Sequence, residues 1–540
     1  MMNTAISIYF NPDDFRNSKQ VFGRTSANNS LLKALVKYGN RSILSLYVEQ
    51  PQFFEDFRQI YALEIEQSVK TFKPIIRGDI PALQQSGLYM HTDPMLSQMS
   101  WARSFINPAS FSICGVIHTL STHVMAEEVG KLILAPLHDW DAIVCTSMAA
   151  KKVVENLFMQ WLDYLRPVYK EPPQIKLQLP VIPLGINSEE VASIETRELK
   201  RKKFREQYRI AADDYVVLFL GRLFFYEKAH PIPMYLALEE IAKRIHSKNK
   251  VHFVQAGWFE DSNDLQHYKD AAKLFCPSVN VLFINDLDSN EKKQAIWPGA
   301  DVFISLSDNI QESFGITPLE AMANQLPVIV SDWDGYKDTV RHEIDGFRIP
   351  TVLPPAGCGT DLGLGYLTKA VNYQTYSGLN AQMTAVDVGA CVNALWQLYL
   401  SPELRRRMGE SGYQRVQELY DWQQVIKHYD LLWDELSARR NLALLDAQQS
   451  IQNPPMLADP FLTYAGYAST VLNANSMLVL GNTSLGQLIL LDSSHLGGFG
   501  KQQRLSIVYL EKIIQFITIS VIGLWIDKRP SRQNRCLEKE

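Results

Sequence analysis

Two glutamates separated by seven residues flank the predicted start of a helix in the middle of the chain. Glu312 lies in a polar loop, and Glu320 lies near the start of a helix expected to begin near Pro318. The loop follows an apolar run predicted to be a buried parallel strand, residues 301–305, and another apolar run follows the helix at residues 327–330. In such a β-loop-α-β unit, ligands bind at the carboxyl ends of the strands. Free backbone N–H groups and the helix dipole would favour an anion such as a phosphate there.

A purely structural interpretation of Glu320 is also open. Thr317 is a candidate N-cap, Pro318 suits the first helical position, and Glu320 follows the cap by three residues. This spacing forms a capping box, in which Glu320 would only bond back to the backbone of its own cap. Spacing alone therefore does not distinguish a ligand-binding carboxylate from a capping one.

Two cations follow the first predicted strand of the second half of the chain. That strand, residues 215–220, leads into Gly221 and Arg222, and Lys228 lies further along the same loop. Cations fixed in a loop at that place could stabilise negative charge that develops on a ligand. For a lone Arg or Lys, a solvated surface charge is the alternative.

One histidine, His118, ends a predicted buried strand of the first half, residues 113–118. It could face a ligand at the strand end, or it could be a hydrogen-bonded core residue. Together with His123 and Glu127 it could suggest a metal site. The spacing is not H-E-x-x-H and no cysteine accompanies it, so no metal site is predicted.

Length and composition describe an ordinary globular protein. The 540 residues allow two or three domains, and 46% of them are hydrophobic while 21% are charged. A net charge of −5 gives no general attraction to nucleic acid. The six cysteines are scattered without a C-x-x-C pair, which favours buried thiols in a reducing compartment. The first residues lack a basic stretch followed by a long apolar core, so we expect a cytoplasmic protein.

Apolar runs alternate with amphipathic helices along the chain, which predicts parallel, doubly wound sheets. In the first half, strands are expected at residues 6–10, 43–48, 88–91, 113–118, 142–145 and 180–187. In the second half they are expected at residues 215–220, 251–256, 281–284, 301–305 and 328–331. Helices are expected at residues 27–38, 234–245 and 404–419, with a last amphipathic helix ending near Arg440.

These elements divide the chain into three predicted parts. Residues 1–190 form a first Rossmann-like domain, and a charge-rich stretch separates it from a second one at residues 191–440. Residues 441–540 form an appended segment with an apolar run at 513–526, which is shorter than the roughly 20 residues a membrane-spanning helix needs. We expect that run to be buried in a small appended domain. Contact with the inner face of a membrane is the alternative, supported by the basic residues Lys528, Arg529, Arg532 and Arg535.

The segment Glu312-Ser-Phe-Gly-Ile-Thr-Pro-Leu-Glu320 resembles the E-x7-E signature of retaining glycosyltransferases of family 4, also called glycosyl transferases group 1. The resemblance covers about residues 6–440. It implies an α/β fold of two Rossmann-like domains facing a central cleft (GT-B), with the donor on the second domain and the acceptor on the first. The implied reaction moves a sugar from a UDP- or GDP-linked donor to a glycan, lipid or small-molecule acceptor.

The same resemblance implies a role for each residue of the motif. Glu312 would contact hydroxyls of the donor sugar, Glu320 the nucleotide ribose, and His118 the sugar side of the donor. Arg222 and Lys228 would bind the diphosphate, and neither a metal nor a further cofactor is implied. The remaining predicted contacts to the nucleotide come from Gly221, Phe314, Gly315, Ile316 and Thr317.

The chain departs from the family pattern in two places. The loop from Arg222 to Lys228 is one residue longer than the common form and lacks its glycine. The Gly-Gly loop expected after the first strand is missing, because Asn-Pro-Asp-Asp follows Phe10. The acceptor side is therefore the less defined one. A non-catalytic nucleotide-sugar-binding or scaffold protein is one alternative, and an epimerase or phosphorylase of the same fold is another.

Overall fold

The computed structural model describes residues 5–15, 23–188, 194–246, 248–259, 261–285, 290–445, 455, 459–471, 473 and 485–493. The chain divides into two compact units, Met1–Met456 and Leu457–Glu540. The first unit contains two halves, each built on a parallel sheet of six strands.

The strands of each half succeed one another along the chain. The first sheet contains β1 (Ala5–Tyr9), β2 (Ile43–Val48), β3 (Thr71–Ile76), β4 (Leu88–Met90), β5 (Ser112–Val116) and β6 (Ala142–Val144). The second contains β7 (Tyr215–Leu220), β8 (Val251–Ala256), β9 (Asn280–Ile284), β10 (Val302–Ser305), β11 (Val328–Ser331) and β12 (Gly346–Ile349). A short antiparallel pair, β13 (Thr351–Val352) and β14 (Ala385–Val386), follows.

Helices connect the strands and cover both faces of each sheet. In the first half they are α1 (Gly23–Tyr38), α2 (Pro51–Ile60), α3 (Ala62–Glu66), α4 (Ile80–Ser86), α5 (Ser97–Ser104), α6 (His123–Leu134) and α7 (Met148–Leu165). In the second they are α8 (Ile194–Gln207), α9 (Pro231–Arg244), α10 (Ser262–Phe275), α11 (Asn290–Ile296), α12 (Ile316–Ala323), α13 (Tyr336–Thr339), α14 (Thr360–Leu367), α15 (Tyr373–Gln382), α16 (Val388–Leu400) and α17 (Pro402–Arg415). A π-helical turn, Val416–Tyr420, joins α17 to the long helix α18 (Trp422–Leu445), and short 3₁₀ turns lie at Pro12–Asp14 and Trp297–Gly299.

Both sheets have the strand order of a doubly wound Rossmann fold. The first runs β3-β2-β1-β4-β5-β6, and the second runs β12-β11-β10-β7-β8-β9. The order reverses between β1 and β4, and again between β7 and β10. At such a switch point the connecting loops diverge and leave a crevice at the carboxyl ends of the strands. The predicted fold class, two Rossmann-like halves, is confirmed.

The edge strands β3 and β12 were not predicted, because neither is an apolar run. Residues of β3 are mostly exposed and include Lys73 and Pro74, which suits an edge strand rather than a central one. β12 begins at Gly346, where a Cβ would lie 2.0 Å from the carbonyl oxygen of Val328. Only glycine lets β12 approach β11 this closely. A four-residue strand that begins with glycine has no apolar run by which the sequence could predict it.

The predicted strand at residues 180–187 is not a strand of the sheet. The segment follows the edge of β6, where the N–H of Cys145 donates to the Pro180 carbonyl (2.9 Å) and the N–H of Ile182 donates to the Cys145 carbonyl (3.0 Å). Pro180 and Pro183 have no N–H to donate, so regular pairing cannot continue. The segment then bridges to the second half, where the N–H of Ile186 donates to the Tyr420 carbonyl (2.8 Å).

Helix α18 starts in the second half and packs on the first sheet. Its buried side chains share one core with those of β1, β2 and β4, and they are Trp422, Val425, Ile426, Tyr429, Leu432, Trp433 and Leu436. Arg41 of the first half pairs with Asp434 of this helix at 2.8 Å. The predicted division at residues 190 and 440 stays a prediction, although α18 continues past Arg440 to Leu445.

The second unit contributes two helices among its described residues, α19 (Pro460–Thr463) and α20 (Leu485–Ser493), and a 3₁₀ turn at Ala465–Tyr467. The apolar run at 513–526 and the basic residues after it lie outside the described residues. Among the helices that the structure describes, none combines the length and the apolar character that crossing a membrane requires. The appended domain, the membrane contact and the cytoplasmic placement all stay predictions.

The packing of α18 predicts a large effect of Trp433→Ala. The side chain is 1% exposed, and its loss should lower the free energy of unfolding by about 3–5 kcal/mol. Leu431→Ala is the control, because Leu431 lies on the same helix and is 65% exposed. It should change the free energy of unfolding by less than about 0.5 kcal/mol. Urea unfolding measures both variants, and equal losses would show that α18 does not brace the first half.

Candidate active site

A cleft between the carboxyl ends of the two sheets encloses a cavity of about 680 Å³. The first half contributes the loop after β1, the start of α1 and the segment after β5. The second half contributes the loops after β7, β8 and β10 and the start of α12. All the residues predicted from the motif line this cavity, namely His118, Gly221, Arg222, Lys228, Glu312, Phe314, Gly315, Ile316, Thr317 and Glu320. The fold thus brings the whole predicted set together, while the role of each residue stays a proposal.

An ion pair between Lys228 and Glu312 lies in the cavity wall. The Lys228 ammonium donates to Oε2 of Glu312, and the two side chains are only 18% and 13% exposed. Burial raises the pKa of Glu312, but the charge and hydrogen bond of Lys228 outweigh it. With Arg222 and the Phe314 N–H adding to the effect, the pKa lies below its usual value. Glu312 is therefore a carboxylate at neutral pH.

The guanidinium of Arg222 is held on three sides. Nη1 lies 3.1 Å from Oε2 of Glu227, and Nη2 donates to Oε1 of Gln311 at 2.9 Å. The group also lies over the Phe224 ring, 5.2 Å from its centroid. A planar guanidinium fixed in this way presents its N–H groups in one direction, which suits the oxygens of a phosphate.

Helix α12 begins at Ile316 rather than near Pro318. Its N-cap is Gly315, with φ +79°, and a Cβ there would lie 2.0 Å from Cε1 of Tyr336. The prediction that Thr317 is the N-cap is wrong, because the positive φ of Gly315 lets the chain enter the helix earlier. No side chain caps this helix, so the backbone N–H groups of its first turn are open to an anion.

The early start of α12 also rules out the capping box. Glu320 lies in the second turn, where its Oε1 accepts a 2.6 Å hydrogen bond from the Lys293 ammonium of α11. Its Oε2 is buried and has no hydrogen-bond partner among the residues that the structure describes. A buried carboxylate oxygen without a donor is costly. The cavity beside it is where a ligand hydroxyl could supply that donor.

From the first half, His118 reaches the cavity after β5. Burial, and then the charge of Arg24, lower the pKa of His118 to about 4, so the ring is neutral at pH 7. Its Nε2 is buried without a hydrogen-bond partner in the described part of the chain. The hydroxyl of Ser313, next to Glu312, donates to the backbone carbonyl of His118. The two halves thus touch at the centre of the site.

Two cationic side chains of the cavity, those of Arg24 and Lys293, were missed by sequence reasoning. Arg24, at the start of α1, pairs with Asp14 at 3.0 Å and Asp93 at 2.7 Å and lines the first-half side of the cleft. Its position after the first strand was the available signal, since loops at that place face ligands in Rossmann folds. Lys293 gave no sequence signal, because only the folded structure brings its ammonium on α11 to within 2.6 Å of Glu320.

The Asp332-Trp-Asp334 segment divides between two environments. Asp332 lies 3.3 Å from Nε of Arg348, while Asp334 accepts from the Tyr336 N–H at 3.0 Å and is close enough to Glu312 for that charge to act on it. Burial, and then the Glu312 charge, raise the pKa of Asp334 well above its usual value, which favours the protonated form of this carboxyl. Among the residues described, no group of three His, Cys, Asp or Glu side chains is placed to hold a metal ion.

The geometry of Gly315 predicts that Gly315→Ala lowers the free energy of unfolding by roughly 2 kcal/mol or more. The new methyl group would overlap Tyr336, and the backbone would be strained at φ +79°. Gly221→Ala is the matched control within the same cavity, because its Cβ would meet nothing nearer than 3.6 Å. Chemical denaturation compares the two, and equal stability would contradict the described start of α12.

Comparison with known proteins agrees with this geometry. Residues 200–354 match the family model of glycosyl transferases group 1. An uncharacterized glycosyltransferase of Methanocaldococcus jannaschii is 29% identical over 257 residues, which are 46% of this chain and 59% of that protein. The mouse alpha-1,3/1,6-mannosyltransferase ALG2 is 32% identical over 130 residues, 23% of this chain and 31% of the mouse protein. The chain therefore spans less than two thirds of these relatives.

Solved structures share the fold at low sequence identity. The crystal structure of Anabaena Alr3699/HepE in complex with UDP matches with a TM-score of 0.51 and 13% identity, covering 80% of this chain and 100% of that one. This likeness concerns the fold alone. Residues 200–354 of its second half are thus similar to the glycosyl transferases group 1 family, and the chain has the two-Rossmann GT-B fold.

Proposed function

We propose that this protein is a retaining glycosyltransferase that moves a sugar from a nucleotide-diphosphate sugar to an acceptor hydroxyl. The observation that carries the proposal is the Glu312–Lys228 ion pair beside Arg222 and the uncapped start of α12. Two cations and a set of free N–H groups converge there at the carboxyl ends of β7 and β10. The family match over residues 200–354 supports the same assignment.

The cations serve the departing diphosphate. As the bond between the anomeric carbon and the diphosphate oxygen breaks, negative charge grows on that oxygen, and Arg222, Lys228 and the first-turn N–H groups of α12 stabilise it. The acceptor oxygen then bonds to the same face of the anomeric carbon, and its proton passes to the departing phosphate. Glu312, held ionised by Lys228, accepts hydrogen bonds from the sugar hydroxyls rather than acting as nucleophile. His118, neutral, faces the sugar from the first half.

The nucleoside end of the donor is assigned to α12. Ribose hydroxyls donate to the unpartnered Oε2 of Glu320, and Lys293 holds the other oxygen in place. We propose a UDP- or GDP-linked donor and no metal or other cofactor, because the protein's own cations take the charge-neutralising role. An Escherichia coli relative, 30% identical over 43% of its length, is named for UDP-galactose transfer, so UDP-galactose is among the donors to try. The acceptor, a glycan or lipid, is assigned to the first half.

The proposal predicts that Arg222→Ala and Lys228→Ala each weaken nucleoside diphosphate binding and slow sugar transfer. The loss of one such contact should cost about 2–4 kcal/mol in the transition state. Calorimetry with UDP and GDP and a transfer assay with their sugars measure the effect. Lys243→Ala removes a 58% exposed cation far from the cavity and is the control. If the wild-type protein binds the nucleotides but transfers sugar to no acceptor, the non-catalytic alternative is favoured. If both variants keep wild-type affinity for UDP and GDP, Arg222 and Lys228 do not belong to the site.

A second prediction concerns Glu320→Gln, which keeps the size of the side chain and removes its charge. Nucleotide affinity should fall, since a charge-assisted acceptor for the ribose hydroxyls is lost. The melting temperature should stay nearly unchanged, because the pair with Lys293 is partly exposed and such pairs contribute only about 0–1 kcal/mol. Wild-type affinity combined with a lower melting temperature would make Glu320 a structural residue.

A further inference from the structure

Between β12 and α16 the chain makes an excursion, residues 353–384, that carries α14 and α15. The excursion leaves and returns at one point, where β13 pairs with β14 and the N–H of Asp387 donates to the Pro350 carbonyl at 3.0 Å. Its far end reaches the first half across the cleft. The hydroxyls of Tyr373 and Ser121 lie 2.6 Å apart, and the rings of Tyr366 and His123 meet edge to face with centroids 5.3 Å apart.

The same helix face contacts the second half. Tyr373 and Ser377 are four residues apart on α15 and therefore lie on one side of it. The Ser377 hydroxyl donates to Oδ1 of Asn309 at 3.0 Å, and both residues are fully buried. One helical turn thus separates the contact across the cleft from a contact in the loop that leads to Glu312.

Asn309 connects the excursion to Arg222. Its Nδ2 donates to the Tyr226 carbonyl at 2.7 Å, which fixes the loop between Arg222 and Lys228. Its Oδ1 also accepts from the N–H of Gln311 at 2.8 Å, and the Gln311 side chain accepts from Arg222 at 2.9 Å. A continuous chain of hydrogen bonds therefore connects Ser377, through Asn309 and Gln311, to the guanidinium of Arg222. The charges of Glu227 and Arg222 in turn act on the Tyr373 phenol.

We propose that the excursion is a clasp that couples closing of the two halves to the placing of Arg222, with Asn309 as the positioning residue. When Tyr373 binds Ser121, α15 is fixed, and Ser377 then holds Asn309 and both phosphate-facing loops. When the halves separate, α15 is released and Arg222 loses its orientation. This inference rests on the proposed function for its catalytic consequence, while the coupling itself is a property of the fold.

Hydrogen exchange without nucleotide tests the coupling directly. Tyr373→Phe and Ser121→Ala remove one hydroxyl each from the same bond, and Tyr376→Phe removes a hydroxyl from the neighbouring ring as the control. Both test variants should raise exchange at residues 118–125 and also at residues 309–312 and 222–228, while the control leaves all three segments unchanged. Faster exchange confined to residues 118–125, or no change anywhere, would overturn the clasp.

Binding of UDP and GDP tests the consequence. The dissociation constant should rise roughly 2- to 10-fold in Tyr373→Phe, Ser121→Ala and Ser377→Ala, the effect of one lost hydrogen bond. The double variant Ser121→Ala/Tyr373→Phe should be no worse than either single one, because both break the same bond. Additive losses would contradict a shared bond. If the wild-type protein binds neither nucleotide, the proposed function fails, and hydrogen exchange alone decides on the clasp.

Discussion

The buried ion pair between Lys228 and Glu312 is the interaction on which the arrangement of the cleft depends. Two charges with so little exposure are stable only when they face each other and keep further hydrogen bonds. Their loops follow β7 and β10, which pair in register with Phe303 opposite Leu218. The reversal of strand order therefore sets the two loops side by side although the residues are 84 positions apart in the chain. The raised pKa of Asp334 follows from its burial and then from the Glu312 charge, because a second carboxylate beside Glu312 would be repelled.

The backbone around the Lys228–Glu312 pair is closely packed. Gly335 lies against the Phe314 backbone, where a Cβ would be 2.5 Å from Cα, and Gly315 lies against Tyr336. These contacts fix the chain between Glu312 and the first turn of α12, so its N–H groups have a defined direction. On the other side, Ser147 donates to the Ser313 carbonyl at 2.7 Å and ties the first half to the same loop. The site is thus preorganised by contacts that no single motif contains.

The sequence predicted what depends on local pattern. Continuous apolar runs placed β7, β8 and β11 with the bounds that the structure gives, and the acidic motif selected a set of residues that the fold collects into one cavity. Prediction from the sequence failed where a contact between residues distant in the chain determines the local structure. The edge strand β12 depends on a glycine facing Val328, and the start of α12 depends on Tyr336 filling the space beside Gly315. Lys293 reaches the cavity only through the three-dimensional arrangement, which leaves no spacing rule in the chain, whereas the position of Arg24 after the first strand was a usable signal.

The most direct test of the central claim is a crystal structure of the protein with a UDP- or GDP-sugar. We predict diphosphate oxygens within about 2.7–3.2 Å of Arg222, Lys228 and the first-turn N–H groups of α12. Glu312 should then face a sugar hydroxyl, and Oε2 of Glu320 should accept from the ribose. A nucleotide bound elsewhere, or bound in the cleft while making no contact with Arg222 or Lys228, would contradict the account.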